Sequence, residues 1–147
     1  MPKKVFRLDD DDEDEIPKPV LLIGIAGTIK YYKLCHYLNK TWELDFEMQE
    51  SIKLRLPRKQ NTFEFIHLKA VKNPGEISYE VLTNKDKNES LIPEASDYDL
   101  LLKIDANLPP QEVKKICSQL KQMPEVMIAV PIETNSIKTL ERIFTKE

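Results

Sequence analysis

Three carboxylates, Glu94, Asp97 and Asp99, fall close together in the stretch ESLIPEASDYDLLLKID, residues 89–105. Carboxyl groups that converge in a cleft can divide acid and base roles between them, so this stretch is the first place to look for chemistry. The competing reading is structural, because carboxylates on a loop with lysines nearby also serve as solvated groups or as acceptors for backbone amides. Nucleophilic catalysis needs a Ser or Cys on a strained turn beside a base, and no pattern of that kind is present. No catalytic residue is therefore assigned.

A second stretch, GIAGT (residues 24–28), follows an apolar run and leads into a helical pattern, as a phosphate-binding turn does. The dinucleotide fingerprint requires glycine where Ala26 and Ile29 stand. A P-loop requires Lys-Ser/Thr after the glycine, and Gly27 is followed by Thr28 and Ile29. Free amides there could hold an anion, but a plain strand-to-helix turn accounts for the residues, and no cofactor is expected. The ligand-type residues Cys35, His36, His67 and Cys117 show neither C-x-x-C nor H-x-x-x-H spacing. Cys35 and His36 are neighbours on a predicted helix and point about 100° apart. No metal is expected: His36 reads as a helix-flank residue, His67 as a strand residue with a hydrogen-bond partner, and the cysteines as buried free thiols. Finally, Lys53, Arg55, Arg58 and Lys59 crowd IKLRLPRK near the strand aromatics Phe63, Phe65, Tyr79 and Tyr98. Exposed aromatics beside cations can stack bases, which makes RNA association the alternative reading. Phe63 and Phe65 alternate with Glu64, however, and a shared core face explains them as well.

The elements that would position these residues follow from periodicity. VLLIGIAG reads as a strand buried on both faces. Thr28 is a candidate cap for a helix to about Lys40, with Tyr31, Leu34, Cys35 and Leu38 on one stripe that continues to Trp42. Alternation breaks near Glu50 and resumes at Ile52–Leu56. TFEFIHLKAV and ISYEVLTN read as strands, with turns at RKQN and KNPGE, and KDKNES as a polar loop. Tyr98, Leu100, Leu102 and Ile104 share one face of a half-buried strand whose other face carries Asp99, Leu101, Lys103 and Asp105. Pro109-Pro110 open a helix with Val113, Ile116, Cys117 and Leu120 inward. Pro124 ends it before the strand VMIAVPI, and Ser136 is placed to cap a short C-terminal helix. The predicted class is α+β: a single, mostly antiparallel sheet with two main helices packed on one face and a short C-terminal helix. Tyr98–Ile132 would form a strand–helix–strand crossover.

Composition narrows the function classes. The chain of 147 residues is 41% hydrophobic and 32% charged, as a soluble globular protein is, and no apolar run approaches a membrane span. A cytoplasmic protein without a membrane partner is expected. Residues 1–19 hold the seven consecutive acids Asp9–Glu15 against four bases, so the net charge of −3 belongs wholly to this arm. The expected organisation is a disordered acidic arm over 1–19 and a single α+β domain over 20–147. A body without net charge is a weak electrostatic trap for nucleic acid.

LIGIAGTIKYYKLCHYLN, LDFE, YEVLTNK, LIPEASDYDLLLKI and LKQMPEVMIAVPI, taken in order, carry a resemblance to the IPExxxVDY family of small bacterial proteins. Ile92, Pro93, Glu94, Asp97 and Tyr98 match the name-giving motif. The spacer here is two residues shorter, and the valine before Asp-Tyr is missing. The resemblance implies an α+β fold and a bacterial, cytoplasmic protein, and it transfers no activity. From the residues themselves, Pro93 suits the start of a strand, Glu94 can accept backbone amides, and Tyr98 begins an apolar face. The stretch is expected to be either a structural lock or a partner surface, within a non-enzymatic domain that binds another protein.

Overall fold

The structure, a computed structural model, describes residues 20–56, 61–72 and 77–144. The acidic arm over residues 1–19 lies outside them, and so do parts of the turns expected at RKQN and KNPGE. Among the described residues the strands are β1 (Leu21–Gly27), β2 (Glu47–Met48), β3 (Ile52–Arg55), β4 (Thr62–Phe65), β5 (His67–Lys72), β6 (Ile77–Thr83), β7 (Lys85–Asp86), β8 (Glu89–Ser90), β9 (Leu100–Ile104) and β10 (Val126–Pro131). The helices are α1 (Tyr31–Thr41) and α2 (Pro110–Leu120). Six strands make one antiparallel sheet in the order β10-β1-β9-β6-β5-β2, and β3–β4 and β7–β8 form separate ribbons. The fold is α+β.

β1 lies between β9 and β10 and is antiparallel to both, so Ile23 stands opposite Leu102 on one side and Pro131 on the other. β9 and β10 therefore run parallel to each other, joined through α2, with β1 inserted between them. Side chains of one parity (Ile23, Ile25, Val81, Leu100, Leu102, Ile104) share a cluster with Leu34, Cys35 and Leu38 of α1 and Ile116, Cys117 and Leu120 of α2. The other parity (Leu22, Leu82, Leu101) joins a second cluster with Phe63, Phe65, Leu91, Ile92, Ile137 and Ile143. This second cluster corrects the half-buried reading of the Tyr98 strand. Every residue of β9 is buried, including Lys103, because both faces of the sheet are covered. The strand also begins at Leu100. Tyr98 precedes it in a turn, escapes the alternation, and packs with the second cluster rather than with Leu100 and Leu102.

Other expectations shift in instructive ways. α1 starts after Lys30 without a side-chain cap, while the Thr28 amide donates to the Glu125 carbonyl at 3.0 Å. TFEFIHLKAV divides at Ile66 between β4 and β5, which belong to different sheets. KDKNES contains the β7–β8 hairpin, with Lys87 and Asn88 both left-handed (φ 50° and 73°) as a tight two-residue turn demands. In place of the C-terminal helix there are two 3-10 turns, Thr134–Ser136 and Leu140–Ile143, and Thr139 rather than Ser136 precedes the second.

β10 is a sheet edge with exposed Met127 and Ile128. Its register with β1 is interrupted by a bulge opposite Ala26/Gly27, and Pro131 has no amide to offer. Bulges and prolines are how edges resist pairing with another chain.

Two glycines are fixed by close approach. At Gly27 (φ +149°) a Cβ would lie 2.1 Å from the Glu125 carbonyl oxygen. At Gly24 it would meet Tyr98 Cγ at 2.6 Å and Ile132 Cδ1 at 2.8 Å. Gly24→Ala is expected to cost about 1–3 kcal/mol by overpacking. In Tyr98→Ala the ring is gone, and a double-mutant cycle by urea unfolding should recover part of that cost. Strict additivity would show that the ring is not what holds position 24 to glycine.

Candidate functional site

Ile92–Tyr98 is held from within by a residue outside the motif. Asn84, fully buried at the end of β6, accepts the Ile92 amide at 2.9 Å through Oδ1. Its Nδ2 donates to the carbonyls of Ala95 (2.8 Å) and Tyr98 (3.0 Å). Its backbone also accepts from Leu91 and donates to Asp99. Pro93 takes the first position of the 3-10 turn Pro93–Ala95, where a missing amide does least harm. Ile92 is fully buried in the second cluster, and Tyr98 is half-buried against Gly24.

The three carboxylates serve separate contacts. Glu94 is exposed and accepts the Lys138 amide at 3.0 Å and the Thr139 hydroxyl at 2.7 Å. The Thr139 hydrogen bond leads in holding its carboxyl below the usual 4.5, against slight desolvation and with help from backbone amides and Arg142. Asp99 Oδ2 accepts the Gly27 amide at 3.0 Å. That is the donor an anion at the GIAGT turn would have used, so an internal carboxylate takes the anion's place. Asp97 is exposed. Neither of the two cavities described below is lined by Glu94, Asp97 or Asp99.

The remaining sequence candidates also fall into place. Lys53 and Arg55 are exposed on β3, with Lys53 paired across the ladder with Glu64. Arg58 and Lys59 lie outside the described residues. Phe63 and Phe65 are buried, which removes them as a base-stacking platform. Cys35 and Cys117 are free and buried, and burial pushes the Cys35 thiol up to about 12. His36 is exposed on α1. Among the described residues no three His, Cys, Asp or Glu side chains gather to hold a metal ion.

Sequence reasoning missed a buried ionic cluster. Glu80 on β6 accepts from His67 Nε2 at 2.7 Å and from Lys103 Nζ at 3.0 Å. Lys103 also donates to the Ile143 carbonyl at 3.0 Å and lies 4.1 Å from the centre of the Phe144 ring. All three residues are at most 5% exposed, and His67 Nδ1 has no hydrogen-bond partner. Burial alone would raise the Glu80 carboxyl, but the His67 hydrogen bond and the Lys103 charge outweigh it and hold it below 4.5. The available signal was Glu80 and Lys103 inside apolar strand runs, where alternation set Lys103 on the solvent-facing side.

The other feature is a groove of about 580 Å³ between the C-terminal end of α1, the face of α2 that carries Glu112, Lys115, Ile116 and Gln119, and the ends of β5 and β6 at Lys72 and Ile77. Trp42 and Tyr79 stand side by side in it, ring centres 5.7 Å apart, with Leu108, Pro109 and Ile116 as apolar lining. Gln119 accepts the indole N–H at 3.0 Å and, through its backbone carbonyl, the Tyr37 hydroxyl at 3.2 Å, so it ties α2 to α1. Lys72, Lys115, Glu43 and Glu112 supply mixed charge at the rim. A second cavity, of about 490 Å³, lies beside α1 at Lys33, His36, Tyr37, Lys40 and Met123.

Compared with the profiles of known protein families, the chain matches none, and a search of curated proteins returns no match. No helix among the described residues is long and apolar enough to cross a membrane.

Proposed function

We propose that the protein is a non-enzymatic, cytoplasmic accessory domain of the IPExxxVDY kind that binds another protein. The observation that carries this reading is the Trp42–Tyr79 groove, an aromatic, half-apolar concavity with a charged rim. Recognition surfaces concentrate their binding energy in such desolvated Trp and Tyr side chains. With both helices taken as one layer over the sheet, the groove is the gap where that layer ends. The carboxylates that suggested catalysis are engaged elsewhere, Glu94 with Lys138 and Thr139 and Asp99 with Gly27.

Trp42 is the chain's only tryptophan, so its emission reports on the groove directly. A partner recovered from cell lysate should shift that emission on binding. Trp42→Ala should weaken the complex by about thirtyfold or more, the loss of a hot spot of about 2 kcal/mol. Circular dichroism of the variant distinguishes lost recognition from lost fold. Undiminished capture by folded Trp42→Ala, or turnover of a metabolite with no protein recovered, would overturn the reading.

A further inference from the structure

The C-terminal segment 134–144 is attached to the body differently from every strand. Its described backbone-to-backbone hydrogen bonds are local: Ile137 to Thr134, Arg142 to Thr139 and Phe144 to Glu141. What joins it to the rest is side-chain chemistry. Glu94 receives the Lys138 amide and the Thr139 hydroxyl, Arg142 donates to the Leu91 carbonyl at 3.0 Å, and Lys103 reaches the Ile143 carbonyl and the Phe144 ring. Ile137 and Ile143 fill the second cluster. Beneath this segment lies the His67–Glu80–Lys103 cluster, three polar groups on the sheet face opposite the helices. Burial is the unfavourable term for such groups, and opening the segment would return Lys103 to water.

We propose that residues 134–144 form a strap that opens as one unit while the sheet and its helices stay folded, with Glu94 as the latch and Lys103 as the group uncovered. A segment without ladder hydrogen bonds to the sheet belongs to the low-stability end of a fold's local openings. The charged cluster lowers the cost of that opening, because Lys103 and Glu80 gain water as they lose the Ile143 carbonyl and the Phe144 ring. The strap thus controls access to a polar patch beside the apolar side chains Leu82 and Leu101 of the same sheet face.

The test compares the two faces in one full-length molecule. Lys103 is acylated with an amine reagent and read by peptide mass spectrometry, while the buried Cys35 thiol, which packs on the helix side, serves as the clock for global unfolding. Lys103 modification should be insensitive to low urea, and Cys35 modification should rise with it, because only global unfolding exposes large surface. Glu94→Gln should speed Lys103 modification several-fold without urea, and Cys35 by no more than the same factor, because the contacts it removes are lost in both the open and the unfolded states. Hydrogen exchange at the Ile137 and Phe144 amides should follow Lys103. If Lys103 and Cys35 rise in parallel with urea, the strap does not open on its own. If Glu94→Gln alters neither rate, Glu94 is not the latch and the proposal fails.

Discussion

Glu80→Ala is expected to destabilise the protein by about 3–5 kcal/mol, the usual consequence of removing one partner from a buried ionic cluster. The size follows from what remains. Lys103, 4% exposed, would keep its ammonium with only the Ile143 carbonyl and the Phe144 ring for company. His67 would lose its one hydrogen-bond partner at Nε2 in addition to the unsatisfied Nδ1. Removing both charges is a different experiment. Glu80→Leu combined with Lys103→Met leaves no ion to desolvate and should be markedly milder than either truncation. Urea unfolding of the single and double variants measures the order directly; Glu80→Ala within about 1 kcal/mol of the parent would show that the cluster is hydrated in solution. The pH dependence has a definite sign. The Glu80 carboxyl is held below its ordinary 4.5 in the folded state, so its contribution is complete above that value and is lost as pH falls through the folded one. Glu80→Gln should flatten the acid limb of the stability profile.

The second large effect is expected at Asn84. Asn84→Ala strips the partner from the buried Ile92 amide and from the Tyr98 carbonyl, and leaves the Ala95 carbonyl with the Tyr98 amide alone; each stranded group costs about 1–3 kcal/mol, for a total of about 3 kcal/mol. Asn84→Asp is the sharper variant. It keeps the acceptor for Ile92, loses both donors, and sets a carboxylate against the Ala95 and Tyr98 carbonyls. Glu94→Ala should stay within about 1 kcal/mol, because its contacts are solvent-exposed. Thermal melts of the three variants give the ranking. A larger loss at Glu94 than at Asn84 would mean that the Ile92–Tyr98 stretch is fixed from outside, by the C-terminal segment, rather than by its own buried amide.

Periodicity located β1, β6 and α2 well, because an apolar run between breakers or a 3.6-residue stripe is a local property. It misjudged the exposure of β9, since alternation assumes that one face meets water and nothing in Leu-Leu-Lys-Ile announces a distant segment folding over Lys103. It also read Tyr98 as the first residue of a strand, because parity cannot see that a 3-10 turn at Pro93–Ala95 delays the strand to Leu100. Pro93 and Glu94 were expected to shape this loop, and the buried contacts within it are made by Asn84, which the sequence did not single out. Asn84 stands eight residues upstream of Ile92 in TNK, and an asparagine after a strand looks like any turn residue until the loop closes around its amide. The groove was illegible for a similar reason: Trp42, Tyr79 and Gln119 come from three separate elements and meet only through the tertiary fold.

The position of β1 in the sheet has a bearing on how the chain reaches this structure. Residue 23 is paired with residues 102 and 131, so this side of the sheet joins an early strand to two late ones. β5 and β6 are close in sequence and can zip together as a hairpin within microseconds, and the β7–β8 ribbon is more local still. β1 cannot be seated until β9 is in place, and β10 cannot close over it until α2 has crossed. Pairings of such long range make a slow folder whose late steps insert a hydrophobic strand. During synthesis LLIGIAG emerges early and has to wait, unpaired, for partners made much later. In that interval this segment is the most exposed to wrong association, and a chaperone that shields one short apolar strand would act on it.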